Sequence, residues 1–181
     1  AATGGGQYER TPTFDAALGP VDSVASPGPI QPALDGRASG GVVELSDSGR
    51  FEETPSIALD AGVRLEFRAA NEHRPTLIVT APIDISGGED AEVTLNGLLI
   101  AGGPIRIVSG TGNGLRKLRL VHCTLVPGFS LGIDGTPGSP GEPSLLIEQA
   151  ETPLEIEFDT SVVGPIRAPA RIDPAGQAGA P

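Results

Sequence analysis

Nine charged side chains alternate with apolar ones in short triplets along the chain: Asp84, Glu92, Arg106, Arg116, Lys117, Arg119, Glu155, Glu157 and Arg167. Successive side chains of a strand point to opposite faces, so apolar neighbours turned inward leave these charges facing out. Carboxylates and bases on one face are what general acid and base chemistry needs. Separation along a sequence does not fix separation in space, however, and outward charges are ordinarily just solvated. The nine are candidates by residue type, and none is assigned a catalytic role.

Other constellations reduce to structure in the same way. Glu89-Asp90 lies in a Gly-bounded turn over residues 86–91 and has oxygen atoms that suit a hard cation. Neither an Asp-x-Asp-x-Asp-Gly series nor a Gly-Gly-x-Gly-x-Asp nonapeptide accompanies it, so it reads as a polar corner. His122-Cys123 pairs a thiol with an imidazole, yet adjacent strand residues point to opposite faces and cannot meet as base and nucleophile. Cys123 fits the core, at the position Leu98 holds one coil earlier, with His122 outward or at a corner. His73 sits in a polar loop without the partners of a ligand or base. Ser109-Gly110-Thr111-Gly112-Asn113-Gly114 has the look of a phosphate loop but precedes no helix, whose N-terminus supplies half of that mechanism; it reads as a corner. No residue is therefore assigned a catalytic, cofactor-binding or metal-binding role, and no cofactor is expected.

Composition narrows the function classes further. Twelve basic against 23 acidic residues give a net charge of −11, which repels nucleic acid and anionic membrane surfaces. Aromatic residues make up 3% of the chain, with no Trp and one Tyr, which leaves little to stack on bases or sugar rings. No stretch approaches a membrane-spanning length of apolar residues, and no basic flank precedes an apolar run near Ala1, so neither a transmembrane helix nor a signal peptide is expected. The opening Ala1 and the lack of Met are what a processed or excised chain shows, and they leave the compartment open. The single cysteine, Cys123, leaves stability to packing and hydrogen bonding.

What must position these residues is a set of very short strands. Val93-Thr94-Leu95, Leu98-Leu99-Ile100 and Ile105-Arg106-Ile107 follow one another across tight corners, and Leu118-Arg119-Leu120, Cys123-Thr124-Leu125 and Leu131-Gly132-Ile133 repeat the arrangement. A chain that alternates for three residues, turns and alternates again is coiling rather than crossing a flat sheet. Coils restart at Val43, Leu65, Val93, Leu118 and Ile156, and the last interval is lengthened by an insertion over residues 134–143. The inward set includes Leu65/Phe67, Leu77/Val79, Ile83/Ile85, Val93/Leu95, Leu98/Ile100 and Ile105/Ile107. Corners fall at Gly87-Gly88, Gly102-Gly103-Pro104 and Gly164-Pro165. Helix is nearly absent, the one segment with helical latitude being Ala69-Ala70-Asn71-Glu72-His73.

The 26 glycines and 18 prolines crowd the corners and the two ends. Residues 1–41 read as a Gly/Pro-rich arm, with Tyr8, Phe14, Leu18 and Ile30 as anchors that could cap the coil. Residues 42–167 form the body, interrupted by a loop of Gly-x-y triplets at 132–143, and residues 168–181 are a flexible tail. The triplets resemble collagen but are too few for a triple helix, so they read as an extended loop and a contact point on one flank.

Ala101-Gly102-Gly103-Pro104-Ile105-Arg106 and Val163-Gly164-Pro165-Ile166-Arg167 are internal repeats of one phrase. In these and in its coil pattern the chain resembles the right-handed parallel β-helix superfamily. This pectin-lyase-like group holds polysaccharide lyases, glycosidases and phage tailspikes. The resemblance spans residues 42–167, is one of architecture, and matches no catalytic motif of a member family. It implies an all-β, single-stranded right-handed parallel β-helix, a β-solenoid of about five short coils with three strands per coil.

The function expected is a non-catalytic structural or interaction module, a rigid β-helical spacer or docking domain of a larger surface or particle protein. A protein partner or the domains of a parent protein are its expected partners. An extracellular, cell-surface or particle-associated setting is expected before a cytoplasmic one. By resemblance, the alternatives are a polysaccharide lyase or glycosidase, with the outward charges as its site and a polysaccharide as its ligand, and a tailspike-like homo-oligomer.

Overall fold

The computed structural model of the chain describes residues 19–110, 112–128, 141–149 and 152–169. The chain opens with β1 (Val21–Val24) and the one-turn helix α1 (Gln31–Asp35), then winds through β2 (Gly41–Leu45), β3 (Arg50–Phe51) and β4 (Ile57–Leu59). The next coil carries β5 (Arg64–Ala69), β6 (Thr76–Ile78) and β7 (Ile83–Gly87), and the following one β8 (Glu92–Asn96), β9 (Leu99–Gly102) and β10 (Ile105–Ile107). Then come β11 (Lys117–Val121), β12 (Thr124–Pro127) and β13 (Leu145–Ile147), and finally β14 (Glu155–Asp159) and β15 (Ile166–Arg167).

Each strand pairs in parallel with its counterpart one coil away. Three sheets result, in the orders β1-β2-β5-β8-β11-β14, β12-β9-β6-β3 and β15-β13-β10-β7-β4. This is a parallel β-solenoid of about five turns, as the sequence pattern predicts. In the last coil a single bridge from Val162 to Thr124 stands in for a strand of the second sheet.

The core is a set of columns running along the rod. Ile57, Ile85, Ile107 and Ile147 lie one above the other on the third sheet. Phe51, Leu77, Ile100 and Leu125 do the same on the second, and Phe67, Leu95, Leu120 and Phe158 on the first. β-Branched and aromatic residues suit such pleated, packed surfaces. All the residues predicted to point inward in the second and third coils of the body are buried, from Leu65 to Ile107. Cys123 is buried too, and the pairing of Thr124 with Leu99 sets it level with Leu98, as expected.

Three details differ from the sequence reading. Val43 lies opposite Phe67 rather than Leu65, whose partner is Gly41. A slip of two residues keeps every side chain on its face, and the strand begins on a glycine that an apolar pattern does not register. The strand of the β11 coil that pairs with Ile105–Ile107 is Leu145–Ile147, while Leu131-Gly132-Ile133 lies outside the described residues. The helix forms at Gln31–Asp35, where Pro32 pre-sets the first turn. At Ala69, by contrast, β5 is still running, and the chain then turns through Glu72 at φ +62°.

Within the stretch assigned to an arm, residues 19–41 contribute a strand and this helix. α1 packs against β1 and β4 and buries Ile30 and Leu34. The Glu53 carboxylate accepts the amides of Ile30 at 2.7 Å and Gln31 at 2.9 Å, meeting donors that a helix start leaves unpaired. Tyr8, Phe14 and Leu18, the segment 129–140 of the Gly-x-y loop and its flank, and residues 170–181 of the tail lie outside the described residues.

Candidate functional site

The outward positions of the first sheet form rows of charge along the rod. Arg64, Glu92, Lys117 and Glu155 are in register, one per coil, with alternating sign. The next outward column carries Glu66, Thr94, Arg119 and Glu157, and the one after it Glu44, Arg68, Asn96, Val121 and Asp159.

The charges pair along these columns and diagonally between them. Arg64 meets Glu92 at 3.0 Å, and Arg68 meets Glu44 at 2.8 Å and Glu66 at 3.1 Å. Lys117 lies 2.9 Å from Glu157 and 3.1 Å from Glu155, and Arg119 lies 3.2 Å from Glu157 and 3.8 Å from Asp159. The hydrogen bond from Lys117 holds the Glu157 carboxyl below its ordinary value, with Arg119 adding to the effect. Glu157, followed by Glu155, raises Lys117 in turn. An acid kept ionised and an amine kept protonated are poorly placed to exchange protons near neutrality.

Asp84 and Arg106 stand on the third sheet, on another side of the rod. They face each other in register on β7 and β10, and both of their hydrogen bonds measure 2.7 Å. The Asp84 carboxylate, through those bonds first, raises the Arg106 guanidinium above its ordinary value. Arg116 is exposed just before β11, and Arg167 is exposed on β15. The nine candidates are thus divided among separate faces, and seven of them are paired with neighbours in the coil stack.

The remaining motifs form corners. Glu89 and Asp90 are exposed; Asp90 turns the chain at φ +61°, and the Glu89 carbonyl accepts the Gly62 amide at 2.7 Å. His122 turns the chain at φ +50°, and its amide donates to the Asp159 carbonyl at 2.9 Å. Burial pushes the Cys123 thiol up to about 11, so it is a protonated core group at neutral pH. The His73 ring lies 3.3 Å from the Ser48 hydroxyl. Among the described residues no group of three or more His, Cys, Asp or Glu is arranged to hold a metal ion, and no helix is long and apolar enough to cross a membrane.

Two shallow grooves follow the corners. One, of about 520 Å³, is lined by Asp60, Ser86, Gly88, Ser109 and Asn113. Asn113 ties it together: its Oδ1 accepts the Gly87 amide at 3.1 Å while its Nδ2 donates to the Val108 carbonyl at 2.6 Å. The described residues of the Gly-rich motif, 109–110 and 112–114, therefore form a hydrogen-bonded corner that leads into β11. The other groove, of about 640 Å³, runs past Val79, Pro82, Gly103, Pro104, Leu146 and Arg167.

The two ends of the rod differ, and the sequence reading did not separate them. At the N-terminal end, α1 covers the core. At the other end, Phe158 is 41% exposed and Ile166 48%. Their counterparts one coil earlier, Leu120 and Leu145, are fully buried. In sequence, Phe158 and Ile166 look like any other inward residue; what sets them apart is the lack of a described strand beyond them, which no local pattern encodes.

Comparison with known proteins yields no match: no protein-family model, no curated protein and no solved structure matches this chain.

Proposed function

We propose that this chain is a non-catalytic structural or interaction module, a rigid β-helical spacer or docking domain of a larger surface or particle protein. Its coils form a parallel β-solenoid, and the pectin-lyase-like form of that fold is part of the proposal. The observation that carries this reading is how the outward charges are used. Lys117 and Arg119 pair with Glu155, Glu157 and Asp159 along the stack, and Asp84 pairs with Arg106 on another face. Charge spent on holding coils in register stiffens a rod, whereas an active site gathers acids and bases around a cavity.

Half-exposed apolar side chains at the C-terminal end of the described coils, Phe158 and Ile166, support the docking part of the proposal. The test is to assay the intact protein on acidic and neutral polysaccharides while measuring its shape by solution scattering. A rigid particle without turnover supports the module. Turnover of any glycan counts against it.

A further inference from the structure

We propose that the C-terminal end of the solenoid is a docking site for an extended segment of a partner protein, in which basic and apolar residues alternate, added as a further strand on β14. This rests on the interaction-module reading and names its partner chemistry.

Three observations converge on it. The first is the edge itself. β14 is the last strand of the first sheet among the described residues, so one of its edges has no described strand against it. Parallel strand addition is how the described coils pair with one another, and it is a common way for a sheet to take up a peptide.

The second is the apolar face beside that edge. In the first-sheet column, Phe67, Leu95 and Leu120 are at most 1% exposed, whereas Phe158 stands in the same column at 41%. Ile166, one place beyond Leu145, is likewise half-exposed. One more strand with apolar residues at its inward positions would restore over Ile156 and Phe158 the cover that β14 gives Leu118 and Leu120.

The third is charge, which selects the occupant. Glu155, Glu157 and Asp159 present three carboxylates at the outward positions of β14, and two cations, Lys117 and Arg119, serve them. The column Arg64, Glu92, Lys117, Glu155 alternates in sign, so the place after Glu155 calls for a base. A second copy fits poorly. Tail-to-tail contact sets the same three carboxylates against themselves, and head-to-tail contact meets Asp22 and Ser23 of β1 and the helix α1. What fits is the pattern of β11, Lys117-Leu118-Arg119-Leu120-Val121, which already pairs with the other edge of β14.

The experiment is calorimetric titration of the full chain with a soluble peptide carrying that Lys-Leu-Arg-Leu-Val pattern, beside one in which Glu replaces the bases. The basic peptide is expected to bind at least about tenfold more tightly than the acidic one. Glu157→Lys, or Glu155→Lys as a second variant at a more exposed position, should weaken it about tenfold and transfer the preference to the acidic peptide. Phe158→Asp should abolish both. Equal binding of the two peptides, no binding, or self-association that Phe158→Asp abolishes would overturn the proposal. Glycan turnover is a separate readout: an inert protein that ignores the peptide loses this docking site and keeps the module reading.

Discussion

Asn96 donates a hydrogen bond of 2.8 Å to Glu66 across adjacent coils, and both side chains are fully buried although their strand positions turn away from the apolar core. Arg68 completes the cluster by bridging Glu66 and Glu44. A buried carboxylate holds its place only while its oxygens are matched by donors. Asn96→Leu removes the Nδ2 donor to Glu66 Oε1 and should lower stability by about 2 kcal/mol. Urea unfolding of the single variant and of Glu66→Leu/Asn96→Leu measures this. The double variant should lose less than the sum of the two single changes, and strict additivity would count against the coupling.

Gly102 ends β9 at φ +113°, and a β-carbon there would run into the Val79 carbonyl of the preceding coil. Gly102→Ala should therefore cost about 3 kcal/mol, combining left-handed strain with a backbone clash that cannot relax. Among the described residues nothing lies within 4 Å of a β-carbon added at Gly141, and Gly141→Ala should stay within about 0.5 kcal/mol of the parent. Thermal unfolding of the pair separates a structural corner from a neutral glycine.

Thr160 adopts φ +48° at the corner position that Gly97 occupies two coils earlier at φ +74°. A β-branched residue in the left-handed region is strained by about 1 kcal/mol or more. Thr160→Gly should raise the midpoint of thermal unfolding, the opposite of what glycine does inside a strand. A lowered midpoint would mean that the bond from the Thr160 hydroxyl to Asp159 outweighs the strain.

The coil repeat was legible because the inward residues are large and alternate strictly, as Val93/Leu95 and Ile105/Ile107 do. Intervals set by glycine were less so, and the two-residue shift at Gly41 follows from a core position without a side chain. Helix α1 stayed hidden because its stability comes from outside its five residues, from the Glu53 carboxylate and from burial of Ile30 and Leu34. The candidate charges were recognised by type, but their pairing was not. Lys117 and Glu157 are 40 residues apart in sequence and meet only because β14 returns to lie in register beside β11. The difference between the two ends had no local signal at all.

Acid should loosen the corners first. The Asp47 carboxyl accepts the Ser26 amide at 2.8 Å and the Gly49 amide at 2.7 Å, and these bonds, Ser26 foremost, hold it below its ordinary value of 3.8. A carboxyl lowered in the folded state stabilises the fold above its unfolded value, and that contribution is lost as the pH falls through the folded value. Glu157, lowered from 4.5 by Lys117, behaves in the same way. Stability should therefore decline as the pH drops below about 4.5, and Asp47→Asn should flatten part of that slope in urea titrations.

At the alkaline end the sign reverses. The Cys123 thiol is raised from 9.0 to about 11 by burial, so its contribution is present below pH 9.0 and disappears as the pH climbs through about 11. At neutral pH an aromatic disulfide reagent should modify Cys123 only as fast as the chain opens, and Gly102→Ala should accelerate the reaction. Rapid labelling of the native protein would contradict the buried placement.

The proposal that the exterior of this rod binds rather than catalyses is tested most directly by incubating the intact protein with acidic and neutral polysaccharides. New reducing ends and the unsaturated uronate left by lyase cleavage are the products to follow. No release above that of a heat-denatured sample is predicted. Sustained release that disappears when Asp84, Arg106, Lys117 or Glu157 is substituted would contradict it.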